Sequence, residues 1–87
     1  MRECAFIWYV YILKCCDDKL YTGITTDCDR RVDEHNDGRG GHFTRGRVPV
    51  KLVYFEKAKD RSMASKRESE IKKLTRVEKM RLIKISI

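Results

Sequence analysis

The longest apolar run in the chain, Ala5 to Leu13, is rich in aromatic and β-branched residues and predicts a strand. The strand pleat puts Tyr9, Tyr11 and Leu13 on one face and Val10 and Ile12 on the other. Cys16 to Lys19 supplies turn residues. Leu20 to Thr25 is the returning strand, with Tyr21 and Gly23 on a shared face. Pairing symmetrically about Cys16 would set Tyr11 opposite Tyr21. Gly23, in the strand interior, marks the close approach of a ligand or of another backbone.

The pattern then changes period. Thr26 or Asp27 can cap a helix running to about Asn36, with Asp27 and Asp29 well placed at its positive end. Cys28, Arg31, Val32 and His35 share one face of it. Asp37 to Gly41 ends the helix and opens a loop through Pro49 that carries Arg39, His42, Arg45 and Arg47. Val50 to Phe55 predicts a third strand. Asp60 can cap a second helix over about Arg61 to Leu74, whose apolar face holds Ala64, Ile71 and Leu74. Glu68 falls on that same face. A carboxylate there is costly without a cation, either a metal or an arginine such as Arg31. Thr75 to Glu78 forms a capping box for a third helix reaching about Ile85. The predicted fold is α+β, a three-stranded, mostly antiparallel sheet with helices packed on it, in the order β-β-α-β-α-α.

At 87 residues the chain has room for one domain with a small core. The net charge of +7 is unevenly placed: residues 1–56 balance nine basic against nine acidic side chains, and residues 57–87 hold eleven against four. A basic helical third points to a polyanion, nucleic acid first. No segment has the eighteen apolar residues of a membrane span, and the first residues do not form a secretory signal. The expectation is a soluble cytoplasmic protein with reduced thiols. Cys4, Cys15, Cys16 and Cys28 lack the paired spacing of a zinc site.

Singly, these residues are ordinary: two sheet tyrosines, a surface arginine, a helical histidine. Together they match the needs of phosphodiester hydrolysis, which are an activated water, a counter-charge for the phosphorus centre and help for the departing oxygen. A carboxylate holding Mg²⁺, an arginine, a histidine and phenols would provide these, with one metal ion rather than two.

Tyr9-Val10-Tyr11, followed ten residues on by Tyr21-Thr22-Gly23, resembles the paired motif of the GIY-YIG nuclease family. Arg31 follows that glycine by eight residues and His35 by twelve, as in the family's first helix. Ala64-Ser65-Lys66-Arg67-Glu68 resembles the later helix whose glutamate binds the metal. Asp27 to Arg31 with His35-Asn36, then Gly38 and Gly40, and the tail Glu70 to Thr75 look closest to the small stand-alone bacterial branch, which is related to structure-specific endonucleases of branched DNA. The resemblance covers roughly residues 7–83 and implies Tyr11, Tyr21, Arg31, His35 and Glu68 as catalytic positions. It makes Glu68 the Mg²⁺ (or Mn²⁺) ligand and Arg31 the partner of the scissile phosphate. One tyrosine would act as or orient the general base, and His35 would assist proton transfer or hold a phosphate oxygen.

The activity so implied is Mg²⁺-dependent DNA endonuclease, structure- rather than sequence-specific, in repair or recombination, with RNA also open as substrate. Gly23, Arg30, Arg39, Arg45, Arg47, Lys66, Lys72 and Lys73 are the expected nucleic-acid contacts, read as backbone and shape recognition. Two departures from the family pattern are visible: Tyr9 stands where many members carry glycine, and no asparagine follows Glu68, since Asn36 is the chain's single asparagine. The second leaves an alternative of another class, a nucleic-acid-binding module on the nuclease fold with weak or no cleavage.

Overall fold

The computed structural model describes residues 7–41 and 44–85, Ile85 by its backbone alone. Cys4, His42 and the first two residues of the expected first strand lie outside the described residues. The elements are β1 (Trp8–Lys14), β2 (Leu20–Thr25), α1 (Cys28–Asn36), β3 (Lys51–Ala58), α2 (Arg61–Lys72) and α3 (Arg76–Ile85). They form an α+β fold in the expected order, with one antiparallel sheet arranged β2-β1-β3.

β1 is central because it is apolar on both faces. Val10 and Ile12, fully buried, meet Ala64 and Ile71 of α2 and Ile83 of α3. On the opposite face Tyr11, Leu13 and Cys15 meet Val50, with Cys28 and Val32 of α1 packed against them. Burying each large side chain stabilises the fold by about 1.5–3 kcal/mol, so this one strand organises both layers. β3 continues to Ala58, three residues beyond the expected end at Phe55. It lies at the sheet edge, where the exposed Lys57 costs nothing, and it pairs Glu56, Lys57 and Ala58 with Val10, Tyr9 and Trp8.

The hairpin register differs from the symmetric one. Tyr11 lies opposite Gly23, and Leu13 opposite Tyr21. The turn is centred on Asp17: Cys15 N donates to Lys19 O, and Asp18 N to Cys15 O, with Asp18 at φ 66°. Asp17 Oδ1 also accepts from Lys19 N at 3.2 Å. Because Tyr11's partner moves by two residues, both phenols keep one face. They meet diagonally, with ring centroids 6.3 Å apart.

The caps are those expected. Asp27 Oδ1 accepts from Arg30 N, Asp60 Oδ1 from Met63 N, and Thr75 and Glu78 bond each other's backbone N–H reciprocally. α2 stops two residues before the expected Leu74, because Lys73 N and Leu74 N bond the carbonyls three residues back and tighten the last turn. Asn36 ends α1 as a clamp. Its side chain accepts from Val50 N at 2.7 Å and donates to Val50 O at 3.3 Å, tying the helix to the approach to β3.

Candidate active site

The site is assembled where α1 crosses the Tyr11 face of the sheet. Tyr11 projects from the central strand over Gly23 of β2. A Cβ built on Gly23 would fall 2.5 Å from the Tyr11 hydroxyl oxygen and 2.7 Å from Cζ. The close approach anticipated at Gly23 is therefore made by the Tyr11 ring.

α1 supplies the next two groups, four residues and about one turn apart. The Tyr11 hydroxyl lies 3.1 Å from His35 Nε2, and Arg31 Nε donates to the same oxygen at 3.4 Å. The guanidinium is held on two further sides, donating from one terminal nitrogen to Glu34 Oε1 at 2.8 Å and from the other to the Gly40 carbonyl at 3.1 Å. Its side chain remains 30% exposed. Tyr21, half-buried, stands edge-on to His35 with ring centroids 5.1 Å apart. Four of the five expected catalytic residues thus share one cluster.

Burial sets the electrostatics. His35 is completely buried, and this desolvation, with the nearby Arg31 charge, lowers its pKa, so the imidazole is neutral at neutral pH. Burial also pushes the Tyr11 phenol up to about 12, against the hydrogen bond from Arg31; the Tyr21 phenol and the Glu68 carboxylate add to the rise. Arg31 is held more firmly protonated by Glu34 first and Tyr11 second. The same contact lowers the Glu34 carboxyl.

Glu68 reaches this cluster from α2 through its charge. It lies half-buried, 22% exposed, rather than sealed on the inward stripe, and its cation is Lys72, with Nζ 3.4 Å from Oε2, rather than Arg31. The i,i+4 spacing along α2 puts that lysine within reach, and Arg31 is already committed to Glu34. Among the described residues, no three His, Cys, Asp or Glu side chains gather as a metal cage.

The expected nucleic-acid contacts divide. Arg39 and Arg45 line one shallow concavity with Gly38 and Gly41, next to the Gly40 carbonyl that holds Arg31. Lys72 sits at Glu68, and Arg30 lies 3.8 Å from Glu34 at the helix surface. Arg39 bridges to Asp37. Arg47 is drawn away to the hairpin turn, bonding Asp17 at 3.0 Å. Lys66 lines a separate groove with Lys57, Lys59 and Arg67 between β3 and α2, and Lys73 caps the end of α2.

Three participants were not anticipated. Glu34 had a usable signal, its three-residue spacing from Arg31 on a helix. Gly40 stands where a Cβ would overlap the His35 ring. Thr44, 1% exposed, places Oγ1 2.7 Å from His35 Nδ1, and nothing in the loop sequence marks it.

The model of the GIY-YIG catalytic domain matches residues 7–81. The chain belongs to the GIY-YIG family. It is 58% identical over 74 residues to a UPF0213 protein of Haloquadratum walsbyi, spanning 85% of this chain and 83% of that one. It is 56% identical over 75 residues to one of Clostridium perfringens, spanning 86% and 81%. The solution NMR structure of a protein from E. faecalis superposes with a TM-score of 0.62 at 43% identity, covering 91% of this chain and 84% of that one. That of a UPF0213 protein from Bacillus halodurans gives 0.59 at the same identity and coverage. A GIY-YIG domain indicates a nuclease family that acts on nucleic acids. Among the described residues, no helix of this GIY-YIG chain is long and apolar enough to cross a membrane.

Proposed function

We propose that this GIY-YIG protein is a Mg²⁺-dependent DNA endonuclease that hydrolyses phosphodiester bonds and selects DNA by structure. The observation that carries this reading is the Arg31 guanidinium, held by Tyr11, Glu34 and Gly40 beside a phenol bonded to a buried neutral imidazole. A guanidinium has five N–H groups. These three bonds leave one on each terminal nitrogen, a fork suited to two oxygens of a phosphate.

In this mechanism Arg31 binds the scissile phosphate and neutralises the negative charge that grows on it. A phenol raised to about 12 is no preformed phenolate at neutral pH, so Tyr11 acts as a relay. The attacking water gives its proton to the Tyr11 oxygen while Tyr11's own proton passes to His35 Nε2. The water oxygen bonds to phosphorus, the bond to the leaving sugar oxygen breaks, and that oxygen takes a proton from solvent. Tyr11 is 2% exposed, and the 3.4 Å Arg31 contact, the longest of the three, is the one that yields to admit the water.

Glu68, a half-buried single carboxylate and not one wall of a preformed cage, is the residue that would hold a Mg²⁺ ion. When bound there, the ion supplies Lewis-acid polarisation of a phosphate oxygen. Arg39, Arg45 and Lys72 then track the flanking backbone. This gives strong salt dependence and little base readout. A setting in DNA repair or recombination follows from that structural selectivity.

Two observations favour a second reading, a binding module that does not cut. Lys72 already neutralises Glu68, and no asparagine follows it in the chain. The test is a Mg²⁺ and Mn²⁺ assay on linear, nicked, flapped and branched DNA, with RNA in parallel. Cleavage should require the metal and fall by at least about 10²-fold in Arg31→Ala and Glu68→Ala. Undiminished cutting by Glu68→Ala would contradict the assignment. Tight, salt-sensitive binding without cutting would establish the binding module.

A further inference from the structure

We propose that Thr44 is a positioning residue of this site, accepting the Nδ1–H of His35 and so fixing the imidazole tautomer that leaves Nε2 open to the proton of Tyr11. Its kinetic consequence rests on the nuclease reading; the tautomer itself does not.

The argument is a count of donors and acceptors. Arginine has no acceptor, so the Tyr11 oxygen must accept from Arg31 Nε. The one hydrogen of the phenol then needs an acceptor of its own. Among the described residues the only other polar atom bonded to this hydroxyl is His35 Nε2, at 3.1 Å. Nε2 is therefore the lone-pair nitrogen, and a neutral ring carries its hydrogen on Nδ1. That hydrogen meets Thr44 Oγ1 at 2.7 Å, a short bond between two buried groups. The reverse assignment, with Thr44 donating to Nδ1, would aim both Nε2–H and Arg31 Nε at the Tyr11 oxygen and leave the phenol hydrogen, confined near the ring plane between them, without an acceptor. The assigned one leaves only the Thr44 hydroxyl hydrogen to be placed, and that hydrogen turns freely about Cβ–Oγ1.

Burial makes the assignment consequential. Thr44, His35 and Tyr11 are 1%, 0% and 2% exposed, so water has little access to replace a missing partner. Gly40 contributes shape, since the ring occupies the space its Cβ would take. When His35 accepts the Tyr11 proton on Nε2, the imidazolium has hydrogens on both nitrogens, and Thr44 Oγ1 goes on accepting the one it already held. Nothing has to turn during the transfer. Thr44 is thus a residue of the long loop that reaches the chemistry only through His35.

The test uses the full chain with ¹⁵N-labelled histidine, wild type beside Thr44→Val and Thr44→Ser. Valine keeps the shape and removes the hydroxyl; serine keeps the hydroxyl. The His35 nitrogen signals of the wild type, read without substrate, should show a protonated Nδ1 and a bare Nε2. Thr44→Ser should keep that pattern, and Thr44→Val should lose it. In cleavage assays Thr44→Val should lower kcat by about 10–100-fold, below the full 10²–10⁴-fold of acid–base assistance, with serine restoring most of it. A wild-type ring protonated on Nε2 would overturn the proposal. So would a folded Thr44→Val variant with unchanged tautomer and unchanged kcat. If the wild type cuts nothing, the nuclease reading fails, while the nitrogen spectrum still decides the role of Thr44.

Discussion

Tyr11→Phe is expected to slow cleavage by about 10²–10⁴-fold, the span of general acid–base assistance, with the secondary structure unchanged. The substitution removes one atom from a ring that is 2% exposed, so the packing with Leu13 and Val50 survives. That atom joins two functions. It accepts from Arg31 Nε and bonds His35 Nε2, so its loss loosens the phosphate-binding guanidinium and cuts the proton's path to the imidazole. A buried histidine nitrogen left without a partner should also cost about 1–3 kcal/mol of stability. Single-turnover cleavage and chemical denaturation measure the two effects separately. Tyr21→Phe is the informative comparison. Tyr21 flanks His35 by ring contact, so its loss should slow cleavage less.

Gly40→Ala should damage both stability and activity, although it adds only one methyl group, because Gly40 is a buried position of its loop. The added Cβ would overlap Nδ1, Cγ and Cε1 of His35, a rigid buried ring that cannot swing aside. Either the ring leaves Tyr11 and Thr44, or the loop backs off and withdraws the Gly40 carbonyl from Arg31. Overpacking of this kind costs about 1–3 kcal/mol, and both relaxations disconnect the proposed relay. Gly38→Ala is the control. Gly38 sits at φ +80° with nothing within 4 Å of an added Cβ, so alanine there strains the backbone without touching the site. Denaturation midpoints should fall for both variants, and cleavage should collapse only for Gly40→Ala.

Most of the fold was legible because the two faces of β1 carry different apolar sets, and each demands a helix layer. The caps at Asp27, Asp60 and Thr75 were legible because their chemistry is local, spanning three residues. The hairpin register was not. It depends on Asp18 adopting a left-handed conformation that centres the turn on Asp17, a choice that glycine would have advertised and aspartate does not.

The site divides the same way. Helix periodicity put Arg31 and His35 on one face and strand periodicity put Tyr11 on the face of Tyr21, while the resemblance to the GIY-YIG family is what joined the two sets in one site. Glu68 was legible as a carboxylate in an unusual place, yet its partner Lys72 lay one turn along its own helix rather than across the fold. Gly40 and Thr44 come from a loop with no periodicity. Their contacts with His35 are set by tertiary packing alone. The basic loop likewise split by geometry, with Arg47 captured by Asp17 while Arg39 and Arg45 share a concavity next to Gly40.

The central claim is that Tyr11 and His35 act as one proton-transfer unit in phosphodiester cleavage. A double-mutant cycle tests it most directly: single-turnover rates of the wild type, Tyr11→Phe, His35→Gln and the double variant, on the best-cut DNA with Mg²⁺. Residues that work as a unit lose their effect once, not twice. The account predicts a double variant no slower than the slower single variant. Losses that multiply would mean that the phenol and the imidazole serve separate steps, and would contradict the relay.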